Sequence, residues 1–137
     1  MTSRTGGCLC GRVRYQANGE PRWVAHCHCE SCRRGAGAPM VTWAGYERGS
    51  VAWPEDEPAY HASSSGVRRG FCPTCGTSLT YEGERWPDEV HLMAATLDDP
   101  ASVTPERHVY WDEHLPWLEV EDSLPRFPTT GLAPAEN

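Results

Sequence analysis

The chain has 137 residues, a formal net charge of −7, and arginine at all twelve of its basic positions. This size predicts one domain, and the acidic balance argues against nucleic-acid binding, which needs clustered Lys and Arg. The lack of lysine excludes a Schiff-base nucleophile, and no apolar run approaches the ~18 residues of a membrane-spanning helix.

Short runs rich in Val, Thr, Trp and Tyr, mostly bounded by Gly, Pro, Asn, Asp or Ser, predict strands at 13–17, 23–28, 40–46, 51–53, 59–62, 67–71, 78–81, 90–96 and 108–111. Their close spacing and the lack of a long helical period predict an all-β domain of packed sheets. A helical turn is predicted at 30–34. The proline-containing segment 115–128 is predicted to run as an extended strap over a sheet edge, and 129–137 to form a flexible tail.

The supply of core-forming side chains is thin. Leu, Val and Phe together number 19, and isoleucine is absent. Six Trp and five Tyr carry large apolar surfaces that offset part of this shortage. Metal binding can also contribute folding free energy where the unfolded chain has no preformed site. We therefore expect an ordered domain that depends on a bound metal.

Seven cysteines fall into three tight groups with the spacings C-x-C, C-x-C-x2-C and C-x2-C. They are Cys8 and Cys10, then Cys27, Cys29 and Cys32, then Cys72 and Cys75. Seven thiolates are too many for one tetrahedral site, so they divide naturally into four and three. A four-thiolate zinc site is closed and structural, whereas three thiolates leave a position open for chemistry.

A disulfide framework explains the cysteines less well than metal binding does. The count is odd, and the first residues carry no apolar segment of the kind found in secretory signals. We therefore expect a cytoplasmic protein, and clustered cysteines in a reducing compartment indicate metal binding or catalysis.

Spacing alone leaves two questions open. It does not decide which pairs of cysteines share an ion. The middle group could also be closed by a histidine, for which the candidates are His26, His28, His61 and His108. His28 lies between two of the cysteines, and on an extended segment its side chain would point away from both. A protein ligand at the fourth position would indicate a structural module, and an open position an enzyme.

Four stretches occur in an order that is characteristic of one family. They are GCLCG with the following VRY, HCHCESCRR from 26, FCPTCGT from 71 and LPWLE from 115. On these motifs the chain resembles the glutathione-dependent formaldehyde-activating enzyme family, whose domain is also found in centromere protein V. The resemblance implies one β-tent domain over residues 4–128, with packed antiparallel sheets held by zinc.

The resemblance also implies the ligand sets. A structural zinc would lie on Cys8, Cys10, Cys72 and Cys75, and a catalytic zinc on Cys27, Cys29 and Cys32. Three thiolates weaken zinc as a Lewis acid, so a thiol that loses its proton on binding suits the open position better than water.

We therefore expect a zinc-dependent carbon–sulfur lyase that forms or cleaves the adduct of a small thiol such as glutathione and an aldehyde such as formaldehyde. The alternative is a non-catalytic two-zinc module that binds a thiol, a peptide or a partner protein.

Several nearby side chains have both a functional and an ordinary interpretation. Arg33 and Arg34 could balance thiolate charge or hold a substrate carboxylate, or they could be solvated surface residues. His108 could carry a proton at the site or be an ordinary strand histidine. Three tryptophans could wall a pocket or fill the core; they are Trp43, Trp111 and Trp117.

Overall fold

The computed structural model describes residues 2–131, which form two β-sheets and one short helix. The strands are β1 (Ser3–Gly7), β2 (Arg14–Asn18), β3 (Trp23–Cys27), β4 (Val41–Glu47), β5 (Val51–Ala52), β6 (Ala59–Ser64), β7 (Val67–Phe71), β8 (Ser78–Gly83), β9 (Glu89–Met93) and β10 (His108–Val109), and the helix is α1 (Glu30–Ala36). Residues 132–137 of the predicted tail lie outside the described part. None of the described helices is long and apolar enough to cross a membrane.

One sheet has three strands in the order β1-β2-β5, and the other has seven in the order β10-β3-β4-β9-β8-β7-β6. Strand β10 pairs with β3 in parallel, and the other strand pairs are antiparallel. The predicted all-β fold is therefore confirmed. The element order brings strands that are far apart in the chain side by side, and this order positions the site.

Strand β1 was not predicted, because its sequence Ser-Arg-Thr-Gly-Gly carries no apolar alternation. Pairing with β2 makes it a strand, in the register Thr5↔Gln16. The strand predicted at 90–96 ends at Met93, where a short 3-10 turn over Ala94–Thr96 replaces it. Both differences arise from tertiary pairing, which local sequence does not encode.

The central strand β4 is buried on both faces. Ala44 and Tyr46 face a core cluster that also holds Tyr15 of the small sheet. Val41 and Trp43 face a second cluster on the opposite side of the strand. This alternation follows the two-residue period of a strand, and the second cluster includes part of the middle cysteine group.

Helix α1 begins directly after Cys29 and contains Cys32, the last of the middle cysteines. The Sγ atom of Cys29 caps it by accepting a hydrogen bond from the backbone N–H of Cys32 at 3.4 Å. The helix ends at Gly37, whose φ of 65° is left-handed and favours glycine. The predicted turn at 30–34 is confirmed, and it continues for two further residues.

The end of the segment 115–128 runs beside β10, in agreement with the predicted strap over a sheet edge. The N–H of His108 donates to the carbonyl of Pro125, and the N–H of Phe127 donates to the carbonyl of His108, both at 2.9 Å. The N–H of Tyr110 donates to the carbonyl of Thr129, also at 2.9 Å. Backbone hydrogen bonds therefore fasten this strap to the edge strand.

Candidate functional site

The first group of sulfurs lies where turns from the two sheets meet. Cys8 and Cys10 lie between β1 and β2, and Cys72 and Cys75 lie between β7 and β8. The Sγ atom of Cys10 is 3.6 Å from Sγ of Cys8 and 3.8 Å from Sγ of Cys72, and all four sulfurs lie within 4.8 Å of one another. Tetrahedral zinc with bonds of about 2.3 Å needs sulfur separations of about 3.8 Å. This quartet could therefore hold zinc, and a bound ion would join the small sheet to the large one.

The turns around the quartet are shaped to favour thiolates. Backbone N–H groups of Val13 and Thr74 point at Sγ of Cys8 and Cys72, at 3.3 and 3.4 Å. Gly76 has a φ of 82°, which is a left-handed conformation that glycine adopts without steric cost. Amide donors aimed at sulfur stabilise its charged form, so the local backbone suits a bound cation.

The second group, which we call the trio, consists of Cys27, Cys29 and Cys32. Cys27 is the last residue of β3, Cys29 caps α1, and Cys32 lies in the first turn of the helix. The Sγ atom of Cys27 is 3.5 Å from that of Cys29 and 3.6 Å from that of Cys32. These separations fit three corners of a zinc tetrahedron. Among residues 2–131 no histidine nitrogen joins the three sulfurs, so the geometry leaves the fourth corner open.

The three thiols of the trio strongly affect one another's protonation. Interactions with Cys29 and Cys32 raise the pKa of the Cys27 thiol far above its ordinary value. Hydrogen bonds with Cys27 and Cys29 lower the pKa of the Cys32 thiol, and the positive charge of Arg69 lowers it further. The raised pKa favours the protonated form of Cys27, and metal binding would displace that proton.

The trio opens into a cavity of about 300 Å³. All three cysteines line it, together with aromatic side chains from three strands and two connecting segments, which are Trp23, Trp43, Tyr81, Trp86 and Tyr110. Tyr110 is, among residues 2–131, the one non-glycine with a positive φ, at 57°. Such strained backbone conformations are concentrated at functional sites. The cavity is therefore a place where a small molecule could reach the sulfurs.

One wall of the cavity is a row of directly paired residues on adjacent strands. Arg69 pairs with Tyr81, Tyr81 with His91, His91 with Gly45, and Gly45 with Trp23. Directly paired residues present their side chains on the same face of a sheet. At Gly45 a Cβ atom would lie 2.3 Å from the Trp23 ring. Glycine there lets the indole fold over the strand and contact His91, with ring centroids 4.6 Å apart.

Glu89 fixes the two rings at one end of this row. Its carboxylate accepts hydrogen bonds from Nε2 of His91 at 2.9 Å and from Nε1 of Trp23 at 3.3 Å. Burial opposes ionisation, but these hydrogen bonds and one from Arg22 hold the pKa of Glu89 below its ordinary value. An ionised Glu89 therefore anchors the aromatic wall.

His28 and His108 lie behind the trio and not in the cavity. Both are completely buried. Nε2 of His28 lies 2.9 Å from Nδ1 of His108, and Nε2 of His108 lies 2.9 Å from a carboxylate oxygen of Asp122. The prediction that His28 points away from the cysteines is confirmed. His108 lies on strand β10 and does not line the cavity, which agrees with the interpretation as an ordinary strand histidine and does not support a proton carrier at the site.

The arginines that follow the trio in sequence do not reach the cavity either. Nε of Arg33 donates to the carbonyl of His28 at 3.1 Å, and Arg34 forms an exposed ion pair with Glu30. The arginine that lines the cavity is Arg69, which sequence analysis missed. Arg69 lies on β7, next to the edge strand β6. The local sequence does not indicate which cavity a charged residue on such a strand faces.

The three tryptophans have three different positions. Trp43 is buried and lines the cavity. Trp111 packs edge-on against His28, with ring centroids 4.7 Å apart. Trp117 is 68% exposed. Trp43 therefore serves both the core and the cavity wall, and the other two do not form the wall.

The family described as glutathione-dependent formaldehyde-activating enzyme matches residues 3–113 of this chain. The chain belongs to this family. The match contains all seven cysteines, and the LPWLE stretch from residue 115 lies beyond it.

Two relatives and one solved structure are similar to this member of the glutathione-dependent formaldehyde-activating enzyme family. A Halomonas elongata protein named "Putative glutathione-dependent formaldehyde-activating enzyme" is 30% identical over 125 residues, which cover 85% of this chain and 80% of that protein. A Schizosaccharomyces pombe protein named an uncharacterized lyase is 36% identical over 81 residues, which cover 59% of this chain and 58% of that protein. A crystal structure of a Rhodobacter sphaeroides protein has a TM-score of 0.61 at 19% identity, covering 89% of this chain and 98% of the other, and shows the shared fold.

Proposed function

We propose that this protein is a zinc-dependent carbon–sulfur lyase that forms and cleaves the adduct of a small thiol and an aldehyde. S-hydroxymethylglutathione, the adduct of glutathione and formaldehyde, is the substrate that the family description favours. The observation that carries the proposal is the trio: three sulfurs at metal-binding spacing, with their open side on a cavity. A closed structural site would need a fourth protein donor, and none is found there among the described residues.

We assign the two cysteine groups different tasks. The quartet of Cys8, Cys10, Cys72 and Cys75 would hold a structural zinc, because four thiolates leave no position for a ligand. The trio of Cys27, Cys29 and Cys32 would hold a catalytic zinc. A zinc ion there would supply the positive charge that keeps an incoming thiol deprotonated at neutral pH.

The chain's own residues then bind and orient the reactants. The trio would hold the thiol sulfur at the cavity, and the aromatic side chains that line it would limit the access of water to the aldehyde carbon. In the forming direction, a sulfur lone pair makes the carbon–sulfur bond while the carbonyl π pair moves onto oxygen, which then takes a proton from water. Cleavage reverses these steps and returns the electron pair to sulfur.

The cysteine groups also bear on cellular location. The structure groups them at metal-binding spacing and not as disulfides. Because thiolate metal sites are favoured where disulfides do not form, we infer that the protein works in a reducing compartment such as the cytoplasm.

The test is a direct measurement of adduct exchange. Zinc content of the purified protein would be measured first, with two ions per chain expected. Glutathione and ¹³C-formaldehyde would then be followed by exchange NMR with the native protein and with Cys29→Ser. Acceleration by the native protein and a return to the uncatalysed rate with Cys29→Ser are expected. A two-zinc protein that accelerates neither this exchange nor that of other small thiols and aldehydes would disprove the proposal.

A further inference from the structure

Arg69 lies directly beside the trio. Its Nη1 is 3.7 Å from Sγ of Cys32. Nε donates a hydrogen bond to Oγ of Ser63 at 3.3 Å, and the guanidinium lies over the Tyr81 ring, 5.1 Å from its centroid. Two neighbours therefore fix the guanidinium plane at the inner end of the cavity. Within residues 2–131, Nη2 has no hydrogen-bond partner.

The distance to Cys32 decides which part of a substrate Arg69 can meet. A thiol that completes the trio must bring its sulfur beside those of the cysteines, at a spacing like the 3.5 and 3.6 Å between them. The atoms one and two bonds beyond that sulfur are the carbon and oxygen of the S–C–O group. Because Nη1 is itself only 3.7 Å from Cys32 and Arg69 lines the same cavity, these atoms would lie within its reach. The carboxylates of a thiol such as glutathione lie several bonds farther away.

The charge of Arg69 also suits an interaction with the oxygen of the S–C–O group. Of the described residues that line the cavity, Arg69 is the one arginine. The oxygen of the S–C–O group carries negative charge as the carbon–sulfur bond forms or breaks, and a fixed donor at that point stabilises the transition state. An arginine stays protonated throughout, so it can donate a hydrogen bond but cannot act as the base.

We propose that Arg69 is a further catalytic residue, which donates a hydrogen bond to the oxygen of the thiol–aldehyde adduct. This inference rests on the proposed function. When sulfur attacks the aldehyde carbon, the π electron pair moves onto the oxygen, Arg69 stabilises the resulting alkoxide, and water supplies the proton. In cleavage the hydroxyl proton leaves to water, the oxygen pair re-forms the carbonyl, and the carbon–sulfur pair returns to sulfur.

The experiment compares two probes that differ at this oxygen. Both probes carry a methyl group on the carbon next to sulfur, but only thioacetate also carries an oxygen there, and ethanethiol has two hydrogens in its place. Their dissociation constants would be measured by calorimetry with the zinc-loaded full chain and with its Arg69→Met and Arg69→Lys variants. We expect Arg69→Met to raise the dissociation constant of thioacetate by about 10- to 100-fold, the range for a charged hydrogen bond. The dissociation constant of ethanethiol should rise by less than about threefold. Arg69→Lys should fall between, because a point charge lacks the guanidinium fork.

Activity gives a second readout. Arg69→Met should lower kcat on the order of 100-fold, as the loss of one oxyanion donor does, with little change in KM. The matched control is Arg68→Met. Arg68 is the neighbouring residue, pairs with Glu82 and does not line the cavity, so both probes should bind this variant as they bind the native protein.

Other results would overturn the assignment. Equal weakening of both probes with loss of zinc would show that Arg69 only balances the charge of Cys32. A raised KM with unchanged kcat would place it on a remote carboxylate. If the Arg69→Met variant binds both thioacetate and ethanethiol as the native protein does, Arg69 is not a catalytic residue, and the proposed function is unaffected. If neither probe binds the native zinc-loaded protein, the proposed function fails, and the role of Arg69 fails with it.

Discussion

His28 and His108 are 80 residues apart in the chain, and their ring nitrogens lie 2.9 Å apart. Nε2 of His108 also lies 2.9 Å from a carboxylate oxygen of Asp122, so one row of hydrogen bonds runs from His28 through His108 to Asp122. Burial, with a smaller effect of His108, lowers the pKa of His28 to about 4. The chain of hydrogen bonds links the turn that carries the trio to the strap at 115–128.

This link predicts that Asp122→Ala weakens metal binding at the trio without unfolding the protein. Asp122 is exposed, so its removal should cost little packing. The loosened turn should lower zinc affinity at the trio by about 10-fold, the lower end for groups that orient metal sites indirectly. Competition with a chelating dye measures this affinity. Asp56→Ala, which removes the exposed ion pair of Asp56 with Arg12, is the control, and equal affinities in both variants would refute the link.

Gly45→Ala should be destabilising and should disturb the cavity. The new Cβ would lie 2.3 Å from the Trp23 ring, so the indole must leave its position over His91. We expect a loss of about 1–3 kcal/mol in the free energy of unfolding, typical of overpacking, together with a changed tryptophan emission. Gly49→Ala is the matched control, since nothing lies within 4 Å of a Cβ atom added at Gly49. Similar melting temperatures for the two variants would contradict the close approach.

The two metal sites should differ in their effect on stability. Cys72 is completely buried and belongs to the quartet that would join the sheets, so Cys72→Ser should remove several kcal/mol and leave little folded protein. Cys29→Ser, at the edge of the cavity, should keep most of the thermal stability and lose one zinc. Calorimetric melting with parallel metal analysis separates the two. A milder effect of Cys72→Ser than of Cys29→Ser would reverse the assignment of structural and catalytic sites.

The raised pKa of Tyr15 predicts that the protein loses stability at alkaline pH. It is almost fully buried, and burial raises its pKa to about 12, against a hydrogen bond with Thr96. Above pH 10 the unfolded chain releases this proton and the folded protein does not, so the stabilisation present below about pH 10 is lost as pH rises towards 12. The loss should be on the order of 2–3 kcal/mol.

Denaturant unfolding between pH 8 and 11.5 measures this effect. Because Tyr46, Tyr60, Tyr81 and Tyr110 also have raised pKa values, the difference between the native protein and Tyr15→Phe isolates the contribution of Tyr15. A Tyr15→Phe variant with the same alkaline slope as the native protein would show that other tyrosines account for the loss.

Much of the fold could be predicted, because strands such as β4, with the sequence Val-Thr-Trp-Ala-Gly-Tyr-Glu, are locally rich in β-favouring residues. Strand β1 could not, since Ser-Arg-Thr-Gly-Gly has no strand pattern and depends on its pairing with β2. The helical turn at 30–34 could be predicted from the sequence. Only the structure shows that its N-terminal cap is Cys29, a cysteine of the trio itself.

The sequence by itself determined the division of the cysteines into groups, because donors one to three residues apart must stay together whatever the chain does elsewhere. Tertiary structure alone decided what surrounds the trio. Arg69, Tyr81, His91 and Trp23 lie on four strands, and the strand order β3-β4-β9-β8-β7, with Gly45 between, brings them onto one face. Strand order and register arise from long-range packing, so no local pattern reveals that Arg69, 37 residues beyond Cys32, lies beside its sulfur.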